Sequence, residues 1–249
     1  VGPAVGSPVT TQFELKTIAK SGALVAGGSN VGLGTYPANL AAGQSDFLAN
    51  DVFTNTTAGP LTVTYTIIPI ASGCRGVEQT VVFTVDPAPA MATNLNKATC
   101  YNSDAEIILA TSGASAPVSS FDITNVVFAG GPGDIVQTNG NTGARLAVTA
   151  NEIRFDRFQN TTNNPLTVTY TVRGNGVAPT FCKGPALDIV LTVEPQIIAA
   201  PVNNSASICS STPTNIDLLS PTTPTSGNIT FNYTVTAPPG VTGYVPSLN

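Results

Sequence analysis

The sequence predicts an all-β fold built from tandem β-sandwiches, and three observations support this prediction. Residues 53–67 return as residues 158–172 with 11 of 15 positions identical, at an offset of 105 residues. A period near one hundred residues is long enough for each repeat to be a complete domain. Within the repeat, Leu61, Val63 and Tyr65 alternate with threonines, which is typical of a strand with one buried face. The 23 glycines and 20 prolines interrupt any long helix.

Composition and charge exclude several classes of function. Only 9% of the residues are charged and the net charge is −5, so the chain offers no basic surface for nucleic acid or an anionic membrane. It has no histidine, the side chain that most often binds transition metals or transfers protons near neutral pH. No apolar run is long enough to cross a bilayer as a helix. We therefore expect no cofactor, no metal, no nucleic-acid partner and no membrane insertion.

The first half of each repeat is predicted from one recurring strand. This strand covers residues 11–18 and recurs at residues 119–126 and at residues 229–235. A glycine-rich connection follows each copy, and variable loops are expected at residues 27–34 and 130–142. Glycines in such segments supply turns that need a positive φ.

The second half of each repeat combines a less regular segment with two strands. Residues 145–148 have a strand pattern, whereas residues 39–49 suit a short helical turn. The repeated strand at residues 61–67 is followed by a break at residues 69–75, and the last strand of the first repeat covers residues 79–87. An equivalent last strand is expected before the second domain boundary.

Domain boundaries follow from proline placed directly after an acidic residue, at residues 86–87 and 194–195. Proline cannot continue a central ladder and therefore ends the last strand. The predicted domains cover residues 1–87, 88–195 and 196–249. We expect the first to lack its opening segment, the second to be a complete sandwich, and the third to be the N-terminal part of another repeat. The array is expected to continue in both directions.

Candidate catalytic and metal-binding groups are few. Nucleophilic catalysis needs a base beside a serine or cysteine, and without histidine only lysine or a carboxylate is available. Paired carboxylates could hydrolyse glycosides, and clustered carboxylates could bind calcium. The acids considered for these roles are Asp104, Glu106, Asp134, Glu152 and Asp156. No spacing typical of a calcium loop connects them, so we expect no catalytic, cofactor-binding or metal residues and no enzyme activity.

Both long repeats share three motifs that indicate a family. They carry Asn-Thr-Thr-x-x-Pro-Leu-Thr-Val-Thr-Tyr-Thr, then Cys-x-Gly at Cys74 and Cys182, then Val-Phe/Leu-Thr-Val-Asp/Glu-Pro. With these motifs the chain resembles the PKD-like, immunoglobulin-like repeats of very large surface proteins of gliding and other Bacteroidota, which are typically exported by the type IX secretion system. The resemblance implies tandem immunoglobulin-like (PKD-like) β-sandwich domains in an extended array, with an extracellular, cell-surface location. The chain departs from the better known PKD pattern because it lacks the Trp-x-Phe-Gly-Asp-Gly-like turn.

The four cysteines lie at two pairs of equivalent positions. Cys74 and Cys182 lie in equivalent hairpin tips, and Cys100 and Cys209 lie in equivalent opening segments. In an immunoglobulin-like sandwich the tip between the last two strands lies at the pole where the chain begins, which predicts a Cys100–Cys182 disulfide. A Cys74–Cys100 pair would have to span roughly 25 Å, far beyond the ~7 Å limit between Cα atoms. Cys74 and Cys209 are then expected to pair outside this stretch of chain. Zinc is the alternative, although no Cys-x-x-Cys pair is present. Disulfides imply an oxidising setting.

Two classes of function remain open. The first is a non-catalytic structural repeat region of an extracellular adhesin, stalk or filament, whose neighbouring repeats or subunits complete one another by strand exchange. The second is a glycan- or protein-binding module, in one version accessory to a secreted enzyme, with Tyr36, Tyr101 and Tyr244 as candidate contacts. Asn55 and Asn160 begin Asn-x-Thr sequons, but we expect them to start turns.

Overall fold

The structure, a computed structural model, describes residues 9–27, 30–38, 47–113, 115–179, 181–243 and 247–248. These residues form strands, turns and irregular segments and contain no helix, which confirms the all-β prediction for the described part of the chain. They accordingly include no helix that could span a membrane. The expected helical turn at residues 39–49 and the third candidate tyrosine, Tyr244, lie largely or wholly outside the described residues.

The chain divides into two compact units. The first consists of Val1–Ala92, Thr111–Asp122 and Arg173–Ala186. The second consists of Thr93–Ala110, Ile123–Val172 and Leu187–Asn249. The units differ from the predicted domains because two long strands of the middle repeat contribute residues to both. The repeat boundaries near residues 87 and 195 stay a prediction.

Seven strands are described in the first repeat: β1 (Gln12–Lys20), β2 (Leu24–Gly27), β3 (Gly34–Pro37), β4 (Val52–Asn55), β5 (Leu61–Ala71), β6 (Cys74–Arg75) and β7 (Gln79–Val85). The larger sheet has the order β3-β1-β5-β6, with β7 also paired to β5, and β2 pairs with β4 in a second sheet. The three strands predicted from the sequence in this repeat are confirmed as β1, β5 and β7.

The core of the first repeat lies between these two sheets. Leu15, Leu24, Val63 and Tyr65 form its buried centre, and they come from β1, β2 and β5. The alternation along β5 predicted this arrangement, because its inward residues are the apolar ones. The two layers form a β-sandwich.

The expected break at residues 69–75 begins later than predicted. β5 runs through Pro69, which is paired with Phe13 of β1, and ends only at Ala71. Proline is tolerated here because it lies close to the end of the strand, where few ladder hydrogen bonds are lost. The chain then turns at Ser72 and Gly73, both with positive φ, as a two-residue hairpin loop requires.

Seven strands are also described in the middle repeat: β8 (Lys97–Thr99), β9 (Val118–Phe128), β10 (Ile135–Asn139), β11 (Arg145–Val148), β12 (Arg157–Asn160), β13 (Leu166–Gly176) and β14 (Leu187–Val193). The order β11-β9-β13-β14 and the separate pair β10-β12 repeat the topology of the first repeat. The strand expected at residues 145–148 is confirmed as β11. The loop expected at residues 130–142 is wrong in part, because β10 lies inside it and pairs with β12.

The opening segment of the middle repeat, residues 96–109, adds to both layers. Its first part, β8, pairs in parallel with the outer edge of β14. Its second part runs along residues 150–158, where the amides of Ala105 and Leu109 donate hydrogen bonds to the carbonyls of Asp156 and Ala150 at 2.9 and 2.8 Å. The segment therefore closes one sheet edge and part of the opposite layer of the second unit.

Four short strands are described in the third repeat: β15 (Val202–Asn203), β16 (Ile216–Asp217), β17 (Tyr233–Thr234) and β18 (Ser247–Leu248). β15 and β16 form a two-residue antiparallel pair, as do β17 and β18. Of the strand predicted at residues 229–235, only β17 is formed. Most described residues of this repeat are exposed.

Candidate interaction surface of the first repeat

In the middle repeat, β14 is covered by the opening segment. Three pairs join β8 to β14, of which the last is Thr99 with Val193. Beyond the ladder, the side-chain oxygen of Asn96 accepts a hydrogen bond from the amide of Val190 at 2.8 Å, and the amide of Glu194 donates to the carbonyl of Thr99 at 2.9 Å. The outer edge of β14 is therefore occupied along its C-terminal half.

The same segment supplies apolar side chains to the core. Ile107 and Leu109 are 1% and 2% exposed, and the inward residues of β14, Ile189 and Leu191, are fully buried. Burying a side chain of this size contributes roughly 1.5–3 kcal/mol. The opening segment is thus part of the hydrophobic core of its repeat.

The equivalent strand of the first repeat, β7, is not covered by any other described strand. β7 pairs with β5 in the same register as β14 with β13, so Val81 and Phe83 correspond to Ile189 and Leu191. They are 49% and 37% exposed. No other strand of the described residues pairs with the outer edge of β7. We call residues 79–86, with this edge and these two side chains, the acceptor surface.

The strand of the acceptor surface is uncharged, and its phenylalanine is held in place by neighbouring rings. The ring of Phe83 packs against Phe53 and Tyr65, with both ring centroids 5.8 Å away, so one side of the ring is fixed while the other faces outward. β7 carries no charged residue between Gln79 and Val85. An uncharged, unpaired edge of this kind favours the addition of another strand.

The repeated Asn-Thr-Thr motif builds a turn. Asn55 is buried, and its Nδ2 donates to the carbonyls of Gly59 and Val85, both at 2.8 Å. Its Oδ1 accepts hydrogen bonds from the amide and the hydroxyl of Thr57 at 3.0 and 2.7 Å. Asn160 makes the equivalent contacts in the middle repeat. The prediction that both asparagines start turns is confirmed, and their burial leaves no room for a glycan.

A tyrosine–aspartate pair recurs in both repeats and was not predicted. Tyr65 donates to Asp51, and Tyr170 donates to Asp156 at 2.9 Å. Burial, the aspartate charge and this hydrogen bond raise the pKa of both tyrosines well above the usual value. The aspartate and the tyrosine of each pair are 14 residues apart, and the two pairs are 105 residues apart. The offset of the sequence repeat could therefore have indicated that this pair recurs. The pair links the layer that contains the aspartate to β5 or β13.

In the middle repeat this pair is extended by a buried arginine. Arg145 Nη2 lies 2.9 Å from Asp156 Oδ2, and Arg145 Nη1 lies 3.4 Å from Glu152. Burial raises the pKa of Asp156, and the ion pair with Arg145 opposes this shift. With Tyr170 on the same carboxylate, Asp156 has no free oxygen directed to solvent that a glycosidase acid would need. These groups stabilise the fold.

The other candidate acids are also engaged. Asp104 pairs with Arg157, and this contact lowers the pKa of Asp104. Glu106 pairs with Arg154 at 3.0 Å, and Asp134 accepts a hydrogen bond from the amide of Gly131 at 2.6 Å. Within the described part of the chain, no group of three or more His, Cys, Asp or Glu side chains is placed to hold a metal ion.

A second buried carboxylate, Asp122, gathers three partners in the first unit. Its oxygens lie 3.0 Å from Lys183 Nζ, 3.2 Å from Arg173 Nε and 2.7 Å from Asn175 Nδ2. No periodic pattern in the sequence pointed to this cluster, because its members come from β9, from β13 and from the loop before β14. Two cations compensate the buried charge, which fits a structural role.

All four cysteines are free thiols in the structure, and Cys182 is the only one of them that is half-buried. The expected Cys100–Cys182 disulfide is therefore not formed there. Cys100 directly follows Thr99, which is paired with Val193 at the end of β14, whereas Cys182 precedes the start of that strand. The pairing of Cys100 with Cys182, and of Cys74 and Cys209 with external partners, stays a prediction.

The features expected of a glycan site are weak among the described residues. Tyr36 packs against the core of the first repeat, stacks on Phe47 with ring centroids 4.5 Å apart, and donates its hydroxyl to Gly32. Tyr101 is half-buried. A cavity of about 290 Å³ in the first unit is lined mainly by proline, alanine and glycine, with Asp86 as its charged residue. Few polar groups converge there, in contrast to a typical ligand pocket.

Comparison with known families supports the fold. Residues 38–89 match the family described as a PKD-like domain, and this match includes β4 to β7. No curated protein matches the chain. The all-β architecture of the described residues is consistent with a PKD-like, immunoglobulin-like β-sandwich. A PKD-like domain fits a structural or adhesion-type module.

Proposed function

We propose that the chain is a non-catalytic structural repeat region of an extracellular, cell-surface adhesin, stalk or filament. Its tandem sandwiches form an extended array, and neighbouring repeats or subunits are joined by strand exchange. The setting in large surface proteins of gliding and other Bacteroidota, exported by the type IX system, belongs to the same proposal and rests on the sequence motifs.

One observation carries the proposal. Among the described residues, no strand covers the outer edge and the inward side chains of β7 in the first repeat, whereas the opening segment covers those of β14 in the middle repeat. Val81 and Phe83 are half-exposed where Ile189 and Leu191 are fully buried. A surface of this kind binds an added strand through its main chain and takes apolar side chains into the core. The function of the repeat is then to join modules, and the buried polar groups serve stability.

A peptide of residues 94–111, the opening segment of the middle repeat, tests whether the first repeat accepts a strand. We expect the peptide to bind the 249-residue chain and to slow hydrogen exchange of the amides of β7. The matched control is the same peptide with Ile107→Asp and Leu109→Asp, which should not bind. No change in the exchange of β7 at a large excess of the native peptide would refute strand acceptance.

A glycan array separates this proposal from the binding-module alternative. We expect no specific glycan signal from the chain, because Tyr36 is packed against the core and stacked on Phe47 and Tyr101 is half-buried. Reproducible binding to one glycan class, lost on Tyr101→Ala and kept on Tyr36→Phe, would favour a lectin-like role for the chain.

A further inference from the structure

Three side chains of the first unit, those of Lys183, Asn175 and Asp122, meet at one buried carboxylate. Asp122 is 2% exposed and Asn175 is 9% exposed. Lys183 Nζ lies 3.0 Å from Asp122 Oδ2, and Asn175 Nδ2 donates a hydrogen bond to Asp122 Oδ1 at 2.7 Å. The amine and the amide therefore contact the two oxygens of the same carboxylate.

The backbone holds Lys183 and Asn175 directly opposite each other, in an antiparallel bridge. Two backbone hydrogen bonds flank this bridge, from the amide of Gly184 to the carbonyl of Gly174 at 2.9 Å and from the amide of Gly176 to the carbonyl of Cys182 at 2.8 Å. The pair is thus of the non-hydrogen-bonded kind, in which the Cα atoms are about 4.5 Å apart and the side chains come closest. The two side chains leave the backbone on the same face and reach the same carboxylate.

The amide of Asn175 is not paired as that of a purely structural asparagine would be. Its Nδ2 also donates to Ser120 Oγ at 3.2 Å, but its Oδ1 is buried and has no hydrogen-bond partner among the described residues. Asn55 and Asn160, which build turns, use both ends of their amides. Buried polar atoms are nearly always paired, and an exception requires an explanation. Stability alone does not account for this side chain.

The first repeat has the same arrangement without the reactive groups. There Ile70 pairs with Arg75, as Asn175 pairs with Lys183, and Arg75 forms an ion pair with Glu14 at 2.6 Å. Arginine does not lose its proton in proteins, and isoleucine has no carbonyl group in its side chain. The first repeat therefore keeps the ion pair and is an internal comparison in which no bond can form.

We propose that Lys183 and Asn175 become joined by an amide bond between their side chains, with loss of ammonia and with Asp122 as the proton carrier. The bond forms within one folded chain and needs no cofactor or oxidant. It is independent of the strand acceptance proposed for β7, because none of the three residues belongs to that strand.

The reaction passes protons through Asp122 and leaves this carboxylate unchanged. Lys183 Nζ first gives a proton to Asp122. The neutral amine then attacks Asn175 Cγ, so that an N–C bond forms and the carbonyl electron pair moves to Oδ1. Asp122 returns its proton to Asn175 Nδ2, 2.7 Å away. As the C=O bond forms again, the Cγ–Nδ2 bond breaks, and ammonia takes the surplus proton of Nζ and leaves as ammonium.

Arg173 keeps the site neutralised after the reaction. Its Nε lies 3.2 Å from Asp122 Oδ2, the oxygen that Lys183 Nζ also contacts. Of these two cations only lysine can give up its proton, because arginine stays charged in proteins. Once Lys183 has become an amide, Arg173 remains as the cation beside the buried carboxylate, so the product does not leave an unpaired charge.

The backbone next to Asn175 disfavours a competing reaction. An asparagine followed by glycine can also lose ammonia when the next backbone amide, here that of Gly176, attacks its side chain. That amide donates a hydrogen bond to the carbonyl of Cys182 at 2.8 Å and is therefore engaged in the bridge. The amine of Lys183 is the nucleophile that the fold places at this carboxylate.

Intact mass spectrometry of the 249-residue chain measures the bond directly. We expect a mass lower than that of the sequence by one ammonia, and the full sequence mass for Lys183→Arg, which keeps an ion pair with Asp122. Lys97→Arg replaces an exposed lysine of the same repeat and is the matched control, which should retain the loss. The full sequence mass in the folded, unaltered chain after prolonged incubation would overturn the inference.

Trypsin digestion locates the bond. Trypsin cleaves after a free lysine, and Lys183 is the last basic residue of the chain, so the bond should leave residues 174–249 as one peptide. Lys183→Arg and Asn175→Ile, which carry the residues of the first repeat, should release residues 184–249 separately.

The same two measurements distinguish the competing products. A loss of ammonia that persists in Lys183→Arg, with cleavage after residue 183, would assign the reaction to the amide of Gly176 and refute the proposal. A loss of one water in place of ammonia would indicate a bond between Lys183 and Asp122 and would refute Asn175 as the partner.

Replacing Asp122 tests the proton carrier. Asp122→Asn keeps the shape of the side chain and an acceptor for Lys183 but cannot take up the proton, so the chain should keep its full sequence mass. Asp122→Glu retains a carboxylate and should lose ammonia more fully than Asp122→Asn. Equal loss in both variants would refute the role of Asp122, and Lys183→Arg tests the bond itself without altering the buried carboxylate.

Discussion

Replacing Asn160 by alanine should destabilise the second unit strongly, although the residue lies in a turn. Asn160 Nδ2 donates to the carbonyls of Asn164 and Val193 at 2.8 and 2.9 Å. Its Oδ1 accepts hydrogen bonds from the amide and the hydroxyl of Thr162 at 3.0 and 2.8 Å. The side chain is 1% exposed, so water cannot replace it at every one of these positions.

The expected loss of stability depends on which hydrogen bonds the partners of Asn160 keep in Asn160→Ala. The carbonyl of Asn164 keeps the hydroxyl of Thr162 as a donor at 2.9 Å, and Thr162 is only half-buried. The carbonyl of Val193 loses a buried donor, which costs about 1–3 kcal/mol, and the remaining bonds contribute roughly 1 kcal/mol each. We expect a decrease of about 3 kcal/mol in the free energy of unfolding. For a unit of this size, that lowers Tm by roughly 10–20 °C.

Urea denaturation and hydrogen exchange read by mass spectrometry measure this effect. The amides of β13 and β14 should lose protection in Asn160→Ala, whereas the equivalent Asn55→Ala should affect β5 and β7. Asn163→Ala, an exposed neighbour, is the matched control and should change stability by less than about 0.5 kcal/mol. If Asn160→Ala behaves like that control, the turn is not held by the asparagine and the reasoning is wrong.

Three further predictions concern the buried and exposed charges. Arg145→Met should lower the free energy of unfolding, measured by urea denaturation, by about 3 kcal/mol, because it leaves Asp156 buried and unpaired. This loss should become smaller on acidification as Asp156 takes up a proton. A loss that does not change with pH would argue against this cause. Tyr65 and Tyr170 have pKa values raised above the usual 10, so their contribution to stability is fully present below pH 10 and is lost only at higher pH. Spectrophotometric titration should show Tyr65 and Tyr170 ionising well above the usual pKa of 10, and ionisation of both at the usual value would contradict their burial. Asp104 has a pKa lowered by Arg157 from its usual 3.8. Its stabilising effect is therefore present above pH 3.8 and is lost as the pH falls through the lowered pKa. The difference in thermal stability between the unaltered chain and Asp104→Asn should accordingly disappear in acid.

Most strands could be predicted, because the sequence repeat and the alternation of apolar and polar residues indicate the same buried faces. β5 and β13 were predicted from eleven identical positions, and their inward residues Val63, Tyr65, Val168 and Tyr170 are indeed buried. Local rules failed where tertiary pairing overrides them. Pro69 was expected to end a strand, but β1 continues to pair with it, and the glycines around residue 133 concealed β10.

The path of the opening segment could not be predicted from local patterns. Thr99 pairs with Val193, far later in the chain, and no periodicity connects residues so distant in sequence. For the same reason, the position of Cys100 could be predicted only by analogy with an immunoglobulin-like sandwich, in which the chain begins at the same end as the last hairpin tip. The acceptor surface could not be predicted from the sequence either, because it is defined by the exposed fractions of Val81 and Phe83.

The parallel pairing of β8 with β14 has a mechanical consequence. The chain enters the middle repeat ahead of β8 and leaves it after β14, so tension on its two ends pulls these neighbouring strands in opposite directions along their length. The three pairs from Lys97–Leu191 to Thr99–Val193 are then sheared together. An antiparallel pair pulled from its open end would separate one hydrogen bond at a time. A strand paired in parallel with β7 and pulled away from the first repeat would resist in the same way, because its hydrogen bonds to β7 would have to break together.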